Sequence, residues 1–123
     1  MSPANAAAAL AALRKMSQLT DRVRTLGENS RMFVSLAKAE GLDTGPSADS
    51  PVVPVIVSNS VHCLKLADRL FKAGINVQPM LYPAVSEEAS RLRFFITALH
   101  TPEQIRFTVA TTAALLREVR AEA

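Results

Sequence analysis

Apolar side chains recur every third or fourth residue near the start of the chain: Leu10, Leu13, Met16, Leu19, Val23 and Leu26, continued by Phe33 and Leu36. This spacing places them on one face and predicts helix from Ala4 to Glu40. Gly27 and Asn29 weaken the middle, so the segment is either one long helix with a soft point there or two helices. Gly41 can take the left-handed conformation that terminates helices. Residues 42–51 hold turn formers and little to bury, and read as a loop. The β-branched run Val52–Val57 predicts a short strand, and Pro54, with no N–H to donate, places it at a sheet edge or with that position facing solvent. Ser58 to Ser60 offers an N-cap for a helix over Val61–Ala73, with Leu64, Ala67, Leu70 and Phe71 on one face. Gly74 closes that helix, Ile75–Leu81 reads as a second strand, Tyr82–Ser90 as an exposed loop and Arg91–Thr97 as a third strand. In Thr101-Pro102-Glu103-Gln104 the threonine caps, the proline takes the first helical position and the glutamine reciprocates the cap. The last helix runs to about Glu122, with Ile105, Val109, Thr112, Leu116 and Val119 on its buried side. The order α-β-α-β-β-α predicts an α+β fold, a small three-stranded sheet covered by helices, in a single domain over residues 1–123.

Composition narrows the function classes. At 123 residues, 49% of them hydrophobic, the chain can bury a core without staples. It holds no apolar run near the ~18 residues of a membrane span. The alanine-rich start, Ala6 to Ala12, lacks the basic opening of a secretory signal. The single cysteine, Cys63, excludes an internal disulfide and a multi-cysteine zinc site and suits a reducing, cytoplasmic setting. The formal net charge is +3, from 14 basic and 11 acidic residues. Those charges are dispersed and lack interleaved aromatics, so they read as a solvated surface and not as a nucleic-acid site.

Complete catalytic machinery is missing from the pattern. The glycines are singletons at 27, 41, 45 and 74, so no phosphate loop forms. His62 and His100 have no metal-ligand spacing, and Cys63 points about 100° away from His62 on a helix. Cys63 therefore reads as a small buried thiol, and Glu87 and Glu88 as solvated loop residues. Arg93 stands out. Alternation puts Leu92, Phe94 and Ile96 on one face of the third strand and Arg93, Phe95 and Thr97 on the other. With apolar residues on both faces the strand is expected to be covered, where a guanidinium calls for a carboxylate or phosphate. An internal ion pair, an exposed strand end and ligand recognition all satisfy that spacing. His100, between strand and helix cap, either holds the corner through backbone hydrogen bonds, the expected role, or faces a site.

The runs Gly74-Ile75-Asn76-Val77-Gln78-Pro79-Met80-Leu81-Tyr82-Pro83-Ala84-Val85, Arg91-Leu92-Arg93 and Thr97-Ala98-Leu99-His100-Thr101-Pro102-Glu103-Gln104-Ile105 resemble the C-terminal region of the α-oxoamine synthases. These are pyridoxal-phosphate (PLP) enzymes of the aminotransferase class I/II superfamily, fold type I. The resemblance covers about positions 5 to 120. It implies that this chain is like the small C-terminal domain of an enzyme whose large PLP-binding domain is the missing partner. In the family the PLP lysine lies in an S-x-S-K segment of that large domain. Nothing here matches it, because Lys15, Lys38, Lys65 and Lys72 all fall on amphipathic helices. The resemblance therefore implies no catalytic, cofactor-binding or metal-binding residue in this chain, no PLP bound by it alone, and no activity alone. Arg93 matches the second arginine of the family's R-L-R, which binds the amino-acid substrate's carboxylate, and Arg91 reads as a surface or ion-pairing residue. Tyr82 and Pro83 match a loop at the active-site mouth, although Ser86 to Ser90 departs from the family's pattern there. The intact enzyme, a homodimer by this resemblance, would condense an amino acid with an acyl thioester of CoA or a carrier protein. A different reading is a stand-alone, non-catalytic binding or oligomerisation module, with the stripe of the first helix as its exposed surface.

Overall fold

Strands β1 (Val52–Ile56), β2 (Gln78–Met80) and β3 (Arg91–Phe95) pair antiparallel in the order β1-β3-β2 in this computed structural model, which describes residues 1–122. Pro54 lies on the edge strand β1, as its missing N–H requires, and stands opposite Arg93, which faces Gln78 on its other side. Helices α1 (Pro3–Met16), α2 (Thr20–Ala39), α3 (Ser60–Lys72) and α4 (Pro102–Ala121) complete the α+β fold. The sheet turns Val53, Val55, Leu92 and Phe94 into the core, where they meet Phe33 and Val34 of α2, Cys63, Leu66 and Leu70 of α3, and Ile105, Val109 and Leu116 of α4.

The helix ends follow local chemistry. Gly41 and Gly74 take φ of +78° and +93°. After α2, Leu42 N–H donates to Ala37 O and Gly41 N–H to Lys38 O; after α3, Ile75 N–H donates to Leu70 O and Gly74 N–H to Phe71 O. Both are Schellman closures, in which a left-handed residue lets the chain satisfy carbonyls the helix leaves open. At α4 the Thr101 hydroxyl accepts from Gln104 N–H while the Gln104 side chain accepts from Thr101 N–H. The buried side of α4 is the expected one, with Ala113 added.

Several expectations are corrected. The first helical segment is two helices, yet the break falls at residues 17–19 and not at Gly27, which sits inside α2. Ser17 ends α1 by donating its hydroxyl to Arg14 O, a side-chain competition that interior glycine does not offer. The stripe Leu10, Leu13, Met16, Leu19 and Val23 is exposed, and α1 buries no residue. Helix α3 buries Cys63, Leu66 and Leu70, leaving Leu64 and Phe71 in solvent. Leu70 and the core-packed Ala67 belong to the expected face, so the observed face is the expected one rotated toward Cys63 and Leu66, which packing on the sheet selects. Strand β2 is shorter than Ile75–Leu81 because Ile75 N–H is spent on closing α3. Strand β3 ends at Phe95, before Thr97. The loop after β2 contains a short 3-10 turn at Glu87–Ala89.

Candidate functional site

Arg93 occupies the middle of the central strand, and its surroundings differ from a strand covered on both sides. Leu92 and Phe94 are buried, but Phe95, on the Arg93 face, is 52% exposed. That face of the sheet is therefore open. The Arg93 guanidinium carbon lies 5.0 Å from the centre of the Phe95 ring, a cation–π contact. Its Nε is buried without a hydrogen-bond partner. Among the described residues Arg93 enters none of the ion pairs, so the internal ion pair that its spacing allowed is not formed. A planar, permanently charged fork with one donor dehydrated and no counter-charge is suited to an external carboxylate.

Arg91 is accounted for locally: its Nε donates to Ala89 O at 2.9 Å. Tyr82 and Pro83 lie in the exposed turn past the Met80–Arg91 end of the β2–β3 ladder, and Tyr82 is 75% exposed. The fold does not seat them against Arg93. A cleft of about 390 Å³ opens at the other end of β3, among Phe95, Ile75, His100 and Phe107; it includes neither Arg93 nor Tyr82.

Two residues that support the Arg93 strand were not singled out by sequence reasoning. Phe95, the ring under Arg93, was legible from the i, i+2 alternation. Asn29 was read as a weakness in a helix, yet it is buried and its amide nitrogen donates to Thr97 O and His100 O, both at 3.0 Å. Its signal was a polar residue within an apolar stripe. His100 Nδ1 accepts from Thr97 N–H at 3.0 Å, which leaves the ring proton on Nε2. Together Asn29 and His100 hold the chain as it leaves β3, as the corner role of His100 anticipated.

Glu87 is an exposed loop residue, as expected, and it also makes a specific bond. Its Oε1 accepts from Ser60 N–H at 2.8 Å, at the start of α3, where Asn59 caps His62 N–H. The Ser60 N–H holds the Glu87 carboxyl below the usual carboxylate range. A depressed carboxyl stabilises the fold fully above its ordinary pKa and loses that contribution as pH falls through the lowered value. Glu87→Gln is therefore expected to lower Tm at neutral pH, with the gap to wild type closing as pH falls through the carboxylate range. A gap constant with pH would show that charge plays no part. Cys63 is fully buried, and burial, followed by the nearby Glu87 charge, pushes its thiol up to about 11, so it stays protonated and unreactive.

The lysines Lys15, Lys38, Lys65 and Lys72 are all exposed on helix surfaces, so the residues present do not fit a PLP Schiff-base site. Among the described residues there is no group of three or more His, Cys, Asp or Glu side chains that could hold a metal ion, and no helix is long and apolar enough to cross a membrane.

The family described as aminotransferase class I and II matches residues 1–111. An 8-amino-7-oxononanoate synthase from Symbiobacterium thermophilum is 38% identical over 117 residues, 95% of this chain and 30% of the relative. A synthase of the same name from Thermosipho melanesiensis is 35% identical over 109 residues, 89% of this chain and 28% of the relative. Among solved structures, the 8-amino-7-oxononanoate synthase of Francisella tularensis superposes with a TM-score of 0.79 at 27% identity, covering 94% of this chain and 32% of that one. A serine palmitoyltransferase from S. paucimobilis, solved with bound PLP and myriocin, superposes with a TM-score of 0.72 at 28% identity, over 80% of this chain and 25% of that one. The chain thus spans less than a third of the length of the curated relatives it matches.

Proposed function

Because the chain belongs to the aminotransferase class I and II family, on its α-oxoamine synthase branch, we propose that it is the small C-terminal domain of a PLP-dependent acyltransferase that condenses an amino acid with an acyl thioester. Arg93 is its substrate-carboxylate arginine. The observation that carries this reading is the unpartnered guanidinium on the open face of the sheet. PLP, which would supply the electron sink for carbanion chemistry, is assigned with its lysine to the large domain, since Lys15, Lys38, Lys65 and Lys72 are exposed on helix surfaces and none lies in an S-x-S-K segment.

Arg93 contributes binding and orientation. A bidentate pair of N–H···O bonds fixes a carboxylate in the plane of the fork, and so fixes the substituents at the neighbouring carbon. The Phe95 ring, 5.0 Å from the guanidinium carbon, supports the fork from one side. Packing of the large domain over the open face would exclude water and strengthen the pair. Tyr82 and Pro83, in an exposed turn, are proposed to border acyl-donor entry.

The test is steady-state kinetics of the assembled enzyme. Arg93→Ala is expected to raise KM for the amino acid about 100-fold and Arg93→Lys about 10-fold, since lysine keeps the charge but loses the fork. KM for the thioester should hold steady in both. An amino-acid KM unchanged in the alanine variant would overturn the assignment.

A further inference from the structure

The cleft at the Phe95 end of β3, about 390 Å³ in volume, has the size of a small-molecule site. Ile75, Phe94, Phe95 and Phe107 give it apolar walls, and His100 and Gln104 lie among its polar groups. Thr97 N–H engages His100 Nδ1, and Thr101 N–H engages Gln104 Oε1. What these two side chains retain is a donor each, the His100 Nε2–H and the Gln104 amide nitrogen. No acidic side chain lines the cleft among the described residues, so a cation entering it would lose water without gaining a counter-charge. Phe95 and Phe107 are 52% and 54% exposed. Their rings are apolar surface that a ligand seated between them would remove from water.

Phe95 joins this cleft to Arg93. Its ring lines the cleft, and the ring centre is 5.0 Å from the guanidinium carbon. A carboxylate seated on the fork carries its α-carbon one bond away, so the group borne by that carbon starts beside the Phe95 ring. The two ends of β3 offer that group different surroundings. The exposed Tyr82 turn lies past the Met80–Arg91 end of the ladder, the side proposed for acyl-donor entry. The opposite end leads over Phe95 into the cleft. We propose that Arg93, Phe95 and the cleft form one composite site, which takes an amino acid whose side chain is apolar, uncharged and long enough to pass Phe95. This rests on the reading of Arg93 as the substrate-carboxylate arginine. Phe95 and Phe107 are then specificity-determining residues, since they touch the side chain and leave the carboxylate to Arg93.

NMR titration of the chain with acetate, butanoate and hexanoate tests the composite site, read at the Arg93 Nε–H and the Phe95 and Phe107 ring signals. Affinity is expected to rise about threefold for each methylene removed from water. The probe 6-aminohexanoate, equally long but cationic at its tail, should bind no better than acetate. Phe107→Ala should weaken hexanoate about fivefold and leave acetate unchanged, as loss of apolar contact alone does. Phe71→Ala, at an exposed position of α3, should match wild type with every probe. Arg93→Ala should weaken acetate and hexanoate alike. In the assembled enzyme kcat/KM should be about tenfold higher for norleucine than for alanine, the scale of discrimination by apolar contact, and Phe107→Ala should narrow the difference. Equal affinity for acetate and hexanoate, with Arg93→Ala weakening both, overturns the composite site while the carboxylate reading stands. Acetate binding and amino-acid KM both unchanged in Arg93→Ala overturn the carboxylate reading, and the composite site with it. A chain-length effect in the titration, with alanine turned over as well as norleucine, also overturns the proposal, because the cleft would then not receive the substrate's side chain.

Discussion

Phe33→Ala is expected to destabilise the domain by about 3–5 kcal/mol, the range for truncating a buried aromatic. Phe33 is 1% exposed, and its ring centre lies 5.1 Å from that of Phe94 at an interplanar angle of 43°. This pair joins α2 to the central strand. The other buried residues of α2 are Asn29, Ser30, Val34 and Ala37, so little else of comparable size anchors the helix, and the cavity left by the ring has small neighbours to fill it. A domain of this size has a total stability on the order of 5–15 kcal/mol, so the variant would lose a large share of it. Urea unfolding followed by circular dichroism should show a lower midpoint with an unchanged slope. Phe71→Ala, at an exposed position, should stay within about 0.5 kcal/mol of wild type. Similar midpoints for the two variants would show that Phe33 does not anchor α2.

Asn29→Asp is expected to be nearly as damaging despite its unchanged size. The wild-type amide donates to Thr97 O and His100 O. A carboxylate there turns a double donor into a buried anion facing two carbonyl oxygens. Loss of both bonds and burial of an uncompensated charge should cost about 3 kcal/mol or more. The repulsion raises the introduced carboxyl's folded pKa above its unfolded value. The penalty is therefore greatest at neutral pH and shrinks as pH falls and the acid protonates, recovering one donor. Asn29→Ala removes the donors without adding charge and should show a smaller loss with no such pH dependence. Tm against pH for the two variants checks this, and parallel curves would remove the electrostatic account.

Much of this fold was readable one segment at a time. The capping box at Thr101, the Schellman glycines Gly41 and Gly74, the edge placement of Pro54 and the buried side of α4 all depend on residues within a few positions of one another. Their outcome is decided by local bonding whatever packs around them. The motif run through Arg91-Leu92-Arg93 pointed to the right family for a similar reason, since the order of residues carries the family's pattern even over a stretch that spans less than a third of the relatives.

What the sequence by itself determined was therefore the element types, the closures of α2 and α3 and the start of α4, the α+β class and Arg93 as the residue to examine. Tertiary structure alone decided how far the buried side of α3 turns, toward Cys63 and Leu66 and away from Leu64 and Phe71, because the apolar positions around Leu70 allow either. It decided that the apolar stripe of α1 and the Phe95 face of the sheet stay open, which periodicity cannot register, as it identifies an apolar face without saying whether this chain covers it. It also decided that Asn29, 68 residues from Thr97, secures the strand on which Arg93 sits. A hydrogen bond across that separation exists only once folding has brought α2 against the turn, so no local pattern announces it.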